Sequence, residues 1–197
     1  MARHRQARWI ATLVAGVAVG GALSTVADAQ TTQRGQARAD TPRLIVVNFR
    51  AADKANGVAA ANAVRDRLMR EYSLRDLWVI DKKNIDNFLE QSGYPTDEAL
   101  STVDAQQLAR LARADEFVEG SVTPAAGQYR VDGRVVLTIS PDFVQPLPPV
   151  TVGKPSDAGA ALAKAVKDAR PALEDARTCY NQARQQKYAE ANAAAQK

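Results

Sequence analysis

Arg43-Leu44-Ile45-Val46-Val47-Asn48-Phe49 is a short β-branched run that ends at Arg50-Ala51-Ala52-Asp53. Asn56-Gly57 then opens a stretch in which Val58, Ala61, Val64, Leu68 and Tyr72 recur at helical spacing. A buried strand followed at once by a helix is the unit from which α/β folds are built. Downstream, Leu77-Trp78-Val79-Ile80 supplies a second strand, and Asp81 is placed to cap a second helix through Ile85, Phe88 and Leu89 with Gly93 as its stop. A third helix follows, with Ser101 or Thr102 as cap and Leu108, Leu111 and Ala112 on its apolar face. The period then switches to two: residues 116–123 and 128–139 flank Pro124-Ala125-Ala126-Gly127, which predicts a hairpin. The order β-α-β-α-α-β-β over residues 42–140 predicts an α/β fold, a two-layer mixed sheet with helices, followed by an all-α segment.

Either side of this core the pattern changes. Residues 30–41 are polar, small and without periodicity, and read as a flexible leader. Residues 141–155 hold Pro141, Pro146, Pro148, Pro149 and Pro155, which excludes a central strand or helix and predicts an extended connector. Residues 156–197 are alanine-rich and helical, with Ser156 or Asp157 as cap and Pro171 as a break or a new first turn. That segment has no glycine or proline stop at its end, so the natural protein is expected to continue in helix. The first 29 residues hold Arg3, Arg5 and Arg8, then a charge-free apolar run, then Ala27-Asp28-Ala29. This order is that of a signal peptide cleaved between Ala29 and Gln30. The glycines and hydroxyl residues of the run make it too weak for an anchor. No twin-arginine pair precedes it and no cysteine follows it to take a lipid. The chain is therefore expected to be exported by the general route, periplasmic or secreted, with no membrane segment after signal removal.

Composition excludes several chemistries. Of 197 residues, 38 are alanine, so the 46% counted as hydrophobic overstates the supply of large apolar side chains. Lys plus Arg number 26 against 22 Asp plus Glu, and half of the net +4 lies in the first 29 residues. What remains is too weakly basic for a nucleic-acid binder. The single histidine, His4, leaves with the signal, and Cys179 is the single cysteine. Mechanisms needing an imidazole, a Cys/His pair or a Cys/His metal cage are thereby excluded. Cys179 reads as a small buried residue or as an intermolecular disulfide partner.

Three stretches carry a resemblance: Leu44 to Phe49, residues 79–89, and Ala114-Asp115-Glu116-Phe117-Val118-Glu119-Gly120-Ser121-Val122-Thr123 with its return Gly127-Gln128-Tyr129-Arg130-Val131. An acid before a strand ending in Gly-x-Val, returning as Gly-x-Tyr-x-Val, is similar to the closing hairpin of TolB amino-terminal domains. More loosely, the zone from Pro42 to Ile139 resembles curli-secretion-type and other envelope proteins of that α/β fold. The resemblance implies an envelope location and other envelope proteins as partners; its motifs are structural, not catalytic. The residues left for a β-propeller are helical, and the missing lipid-bearing cysteine argues against pore formation. In the tail, residues 179–191 resemble the first helix and turn of a tetratricopeptide repeat, with Gln186 where a glycine is usual; a generic amphipathic helix fits equally well.

Candidate ligand residues are few. Asp53, Asn56 and Gly57 lie between the first strand and its helix, where backbone N–H groups are able to hold an anion, and Asp81 lies at the corresponding place after the second strand. No Gly-Lys-Ser/Thr accompanies them, so helix capping explains them as well. Residues 81–86 lack the oxygen ligands of a calcium loop at Lys83 and Ile85. Glu116 and Glu119 are expected to project to opposite faces and to be solvated. No catalytic residue, cofactor or metal site is expected. The reading is a non-enzymatic adaptor of the envelope, binding through the sheet edge or a concave helical surface. The alternative is a small-ligand or cell-wall sensor with its pocket near residues 48–57 and Asp81.

Overall fold

Two parallel pairings of the first strand set the architecture. The computed structural model describes residues 33–196. Its elements are β1 (Arg43–Val46), β2 (Arg50–Ala51), α1 (Lys54–Glu71), β3 (Trp78–Val79), α2 (Lys82–Gln91), α3 (Thr102–Leu111), β4 (Glu116–Ala125), β5 (Gln128–Leu137), β6 (Val144–Pro146), β7 (Val150–Val152), α4 (Gly159–Arg184) and α5 (Tyr188–Ala195). β1 lies between β3 and β4, parallel to both, and β5 returns antiparallel to β4. The path is β3-β1-β4-β5-β6, with β2 on β4 and β7 on β5. The chain moves from β1 through α1 to one neighbour, and from β3 through α2 and α3 to the other. Right-handed crossovers in opposite directions place their helices on opposite faces.

Alternation along β1 shows both faces filled. Leu44 and Val46 pack with Ala60, Val64 and Leu68 of α1 and with Leu162 of α4. Ile45 and Val47 pack with Ile85 and Leu89 of α2 and Leu108 of α3. The mixed α/β sheet is as expected, and the helices divided between its faces add a third layer. Arg65 of α1 is the largest fully buried side chain; its Nη2 donates to the Val46 carbonyl at 2.5 Å, and burial lowers its pKa to about 10.

Other sequence expectations take a different form. The hairpin turn is tighter than residues 124–127: Ala126 and Gly127, with φ of 47° and 79°, are its two central residues, and the strands run to Ala125 and from Gln128. The proline-dense segment is extended, and it also pairs with β5 as the edge strands β6 and β7, with Pro146 at the end of β6 and prolines 148 and 149 in the link between the two strands. Gln33 of the leader is buried and hydrogen-bonded to the end of the sheet. Pro171 neither breaks α4 nor begins a helix, for α4 runs through it. Pro171 and Lys167, whose carbonyl loses its N–H partner, are both exposed, while Val166, Arg170 and Leu173 stay packed on the core side. A 3-10 turn at Pro155–Ala158 leads into α4 in place of a Ser156 or Asp157 cap. In the tail, Gln186 adopts φ 61° between α4 and α5, the left-handed geometry that a glycine takes readily. Cys179 is a free thiol of intermediate exposure. Among the described residues no helix is long and apolar enough to cross a membrane. The expected signal, with Ala27, Ala29 and Gln30 at its cleavage site, lies outside them.

Candidate functional site

The site begins at a bulge. Between Val46, opposite Val118, and Arg50, opposite Ser121, the first strand advances four residues while β4 advances three. The extra residue sends Phe49 to the α1 face, where it packs over Gly120; a Cβ there would stand 2.9 Å from the Phe49 ring. Asn48 turns the other way, and its Nδ2 donates to the carbonyls of Thr96 at 2.9 Å and Glu98 at 3.2 Å, holding the α2–α3 loop beside the strand end. Lys54 pairs with Glu98 on the same loop; that bond and its charge raise the lysine pKa.

A cleft of about 500 Å³ opens there, at the carboxyl end of β1 where the crossovers leave in opposite directions. Its wall is the upper part of the sheet face that α3 leaves uncovered. Glu119 and Arg134 are cross-strand partners, as are Ser121 and Asp132, with Arg50 beside Ser121. Arg134 Nε donates to Glu119 Oε1 at 2.6 Å, and its Nη2 donates to Thr102 Oγ1 at 3.1 Å. The Thr102 hydroxyl in turn reaches the Glu119 carboxylate at 3.1 Å. Glu119, only 9% exposed, is thus fixed from two elements, and Arg50 has no carboxylate partner among the described residues. The cleft offers oriented hydrogen-bond donors and acceptors, and no group of three or more metal-binding side chains occurs among the described residues.

A second concavity of about 340 Å³ lies between α2 and α3 and shares Leu100 with the cleft. Leu89, Leu100 and Leu108 line it. Tyr94 (37% exposed) and Leu111 (54%) also line it, and Val103 (64%) is exposed one helical turn before Gln107 of that lining. Val103 and Leu111 are two helical turns apart on α3 and form one stripe with Gln107. Tyr94 Oη donates to Asp104 Oδ1 at 2.8 Å and Ser101 Oγ to Oδ2 at 2.6 Å, which hold the Asp104 carboxyl below its ordinary range and tie the α2–α3 loop to the first turn of α3.

The residues singled out in the sequence sit elsewhere. Asp53 caps α1, accepting from Ala55 N at 3.0 Å, and Asn56 donates its backbone N–H to the Asp53 carbonyl at 3.1 Å. Gly57 is buried against the Phe49 carbonyl, and Asp81 caps α2, accepting from Asn84 N at 2.9 Å. None of the four lines the cleft; its neighbours Asn48 and Arg50 do. Glu116 and Glu119 do face opposite sides, but both are buried in ion pairs, Glu116 with Arg170 at 3.2 Å and Glu119 with Arg134 at 2.5 Å. Solvation is excluded because each meets an arginine from a packed element. The cleft residues did leave a signal. Polar residues at every second position, 119, 121 and 123 on one strand and 130, 132 and 134 on the other, mark one face of the hairpin as uncovered.

These features define an α/β sandwich with a polar cleft at its switch point and an apolar groove between two helices. No family model matches the sequence, and no curated protein matches it. Among solved structures it is similar to the LpoB C-terminal domain from Salmonella enterica, at 18% identity over 60% of this chain and 89% of that one, with a TM-score of 0.45. It is also similar to the PelC dodecamer from Paraburkholderia phytofirmans, at 17% identity over 68% of this chain and 91% of that one, TM-score 0.40. TolB from Acinetobacter baumannii is 13% identical over 72% of this chain and 29% of its own, TM-score 0.40.

Proposed function

We propose that the chain is an exported, non-enzymatic adaptor of the cell envelope that holds a partner protein in the α2–α3 groove. The observation that carries this is that two exposed apolar side chains, Tyr94 and Leu111, line a concavity together with Leu89, Leu100 and Leu108, while Val103 is exposed on the same helix as Leu111. Contiguous exposed apolar surface of this kind is what interaction sites present. The stripe runs from Val103 to Leu111, about 12 Å along α3, a length that suits two turns of an amphipathic helix laid alongside it. Both sheet edges are poor alternatives, one met by Gln33 and the other interrupted by prolines.

The test places a photo-crosslinking residue at Gln107, in the middle of the stripe, in cells producing the full chain. One discrete crosslinked partner is expected, lost when Leu111→Asp is added, with the unfolding temperature unchanged because Leu111 is exposed. Silence at position 107, or a crosslink indifferent to Leu111→Asp, overturns the groove. Export is supported by the order of basic, apolar and Ala-x-Ala segments in the first 29 residues. The exported chain is expected to begin at Gln30 by mass spectrometry; Met1 retained on a membrane-bound product refutes it.

A second reading rests on the cleft, whose place at the switch point is where α/β sheets bind small ligands. Arg50, Ser121 and Arg134 would supply the donors. A small-ligand sensor gives no crosslink at Gln107 that depends on Leu111, so the same experiment separates the two.

A further inference from the structure

Among the described residues β3 ends the sheet, and its hydrogen-bonding groups divide between two sides. Trp78 N donates to the Pro42 carbonyl and Ile80 N to the Leu44 carbonyl, both on the β1 side. Val79 N–H and the Leu77 carbonyl therefore point outward, where a further strand would lie. The Gln33 side-chain amide meets both: its Oε1 accepts from Val79 N at 3.0 Å, and its Nε2 donates to the Leu77 carbonyl at 2.5 Å and the Tyr72 carbonyl at 3.2 Å. A primary amide carries the same acceptor and donor as a peptide unit, so one side chain substitutes for the missing strand. Gln33 is 7% exposed. The backbone beyond is held as well, since the Arg34 carbonyl accepts from Leu74 N at 2.8 Å and Gly35, at φ 102°, turns the chain. The outward groups of β3 are also self-complementary. Two copies paired antiparallel about Trp78 would join Val79 N–H of each to the Leu77 carbonyl of the other.

We propose that Gln33 is a surrogate strand that closes the β3 edge and keeps it from pairing with β3 of a second copy. Isolated edges of this kind are a route to association that proteins block. The test uses the full chain and Gln33→Met, which keeps the side-chain length and removes the amide. In dilute solution the Val79 amide of the variant should exchange about tenfold faster than in the parent or more. At high concentration its protection should return as the sedimentation profile moves to dimer. Gln33→Glu supplies a second readout. When protonated, its single O–H donates to the Leu77 carbonyl. When ionised, the carboxylate is repelled by the Leu77 and Tyr72 carbonyls and driven off the edge, so Val79 protection should fall as pH rises through the carboxyl's titration. Undiminished Val79 protection in dilute Gln33→Met, a variant that stays monomeric at every concentration, or a pH-independent Gln33→Glu each overturns the proposal.

Discussion

Gly57→Ala is expected to destabilise the fold by about 3 kcal/mol, at the upper end of what overpacking usually costs. A Cβ on Gly57 would stand 2.0 Å from the Phe49 carbonyl oxygen and 3.0 Å from its carbon. Those are backbone atoms, and they are pinned on the other side. The Phe49 ring lies over Gly120, while Asn48 is bonded into the α2–α3 loop, so the bulge has nowhere to retreat. Either α1 must lift from the sheet or the bulge must lose its register on β4. For a domain of this size the expected drop in unfolding temperature is roughly 6–12 °C. Gly153→Ala is the control, because nothing lies within 4 Å of its Cβ position and its backbone is in the ordinary range; a change within about 0.5 kcal/mol is expected there. A loss below about 1 kcal/mol at Gly57 would show that the bulge gives way and that close approach is not what this glycine is for. The result also separates the two readings of Asp53, Asn56 and Gly57, since a closed backbone contact leaves no room for an anion at the glycine.

That contact shows how far the sequence could be read. Leu44 to Val47 declared a buried strand because all four side chains enter a core, and the hairpin declared itself by alternation and by Ala126-Gly127. Asp81 and Ser101 were legible as caps, because capping is a local bond between a side chain and an N–H three residues on. β2 was not legible: two residues carry no period, and its pairing depends on a bulge that only the register with β4 reveals. The cleft was hidden for a related reason, for Thr102, Glu119 and Arg134 come together only once α3 is seated on the sheet. Gln33 was the hardest. Its neighbourhood has the composition of a loose leader, and a single amide bonding to residues 39, 44 and 46 positions away leaves no pattern in the chain. Pro171 misled because helix propensity is local, while the packing of α4 on both sides of it is not.

Arg170→Met is the second large effect, about 3–5 kcal/mol destabilising, because it strips a buried carboxylate of its partner. Glu116 is 1% exposed by its side chain and Arg170 8%, so their 3.2 Å pair links the first residue of β4 to the middle of α4 almost without water. Around it Arg170 stacks over the Tyr72 ring at 5.5 Å and pairs with Glu174, and one turn further Arg177 reaches Asp115 at 3.3 Å. This cluster clamps α4 to the α/β core. Changing both partners, Glu116→Gln with Arg170→Met, should recover most of the loss, since a neutral pair needs no counter-charge. A double variant as unstable as the single one would show that packing of the arginine stem, not its charge, holds α4.

The pH profile gives the clamp a sign. Burial pushes the Glu116 carboxyl above its ordinary value near 4.5, and the charges of Arg170 and Arg177 pull it back only in part. Burial opposes the Arg170 charge in turn, and Glu116 outweighs it, so the guanidinium stays charged throughout the working range. Between the unfolded carboxyl value and the raised folded one, the folded chain binds more protons than the unfolded chain. Stability contributed by Glu116 is then complete at the acid end and falls as pH rises through that window. In Arg170→Met the restraining charge is gone, the carboxyl is driven higher, and the fall should be steeper and extend further toward neutrality. Urea unfolding midpoints from about pH 4 to 8 measure this, with Arg170→Met losing ground to the parent as pH rises and Glu116→Gln removing the difference in slope. Parallel profiles for parent and Arg170→Met would mean that Glu116 ionises freely where it sits, and the buried pair would then have to be abandoned as what fastens α4 to the sheet.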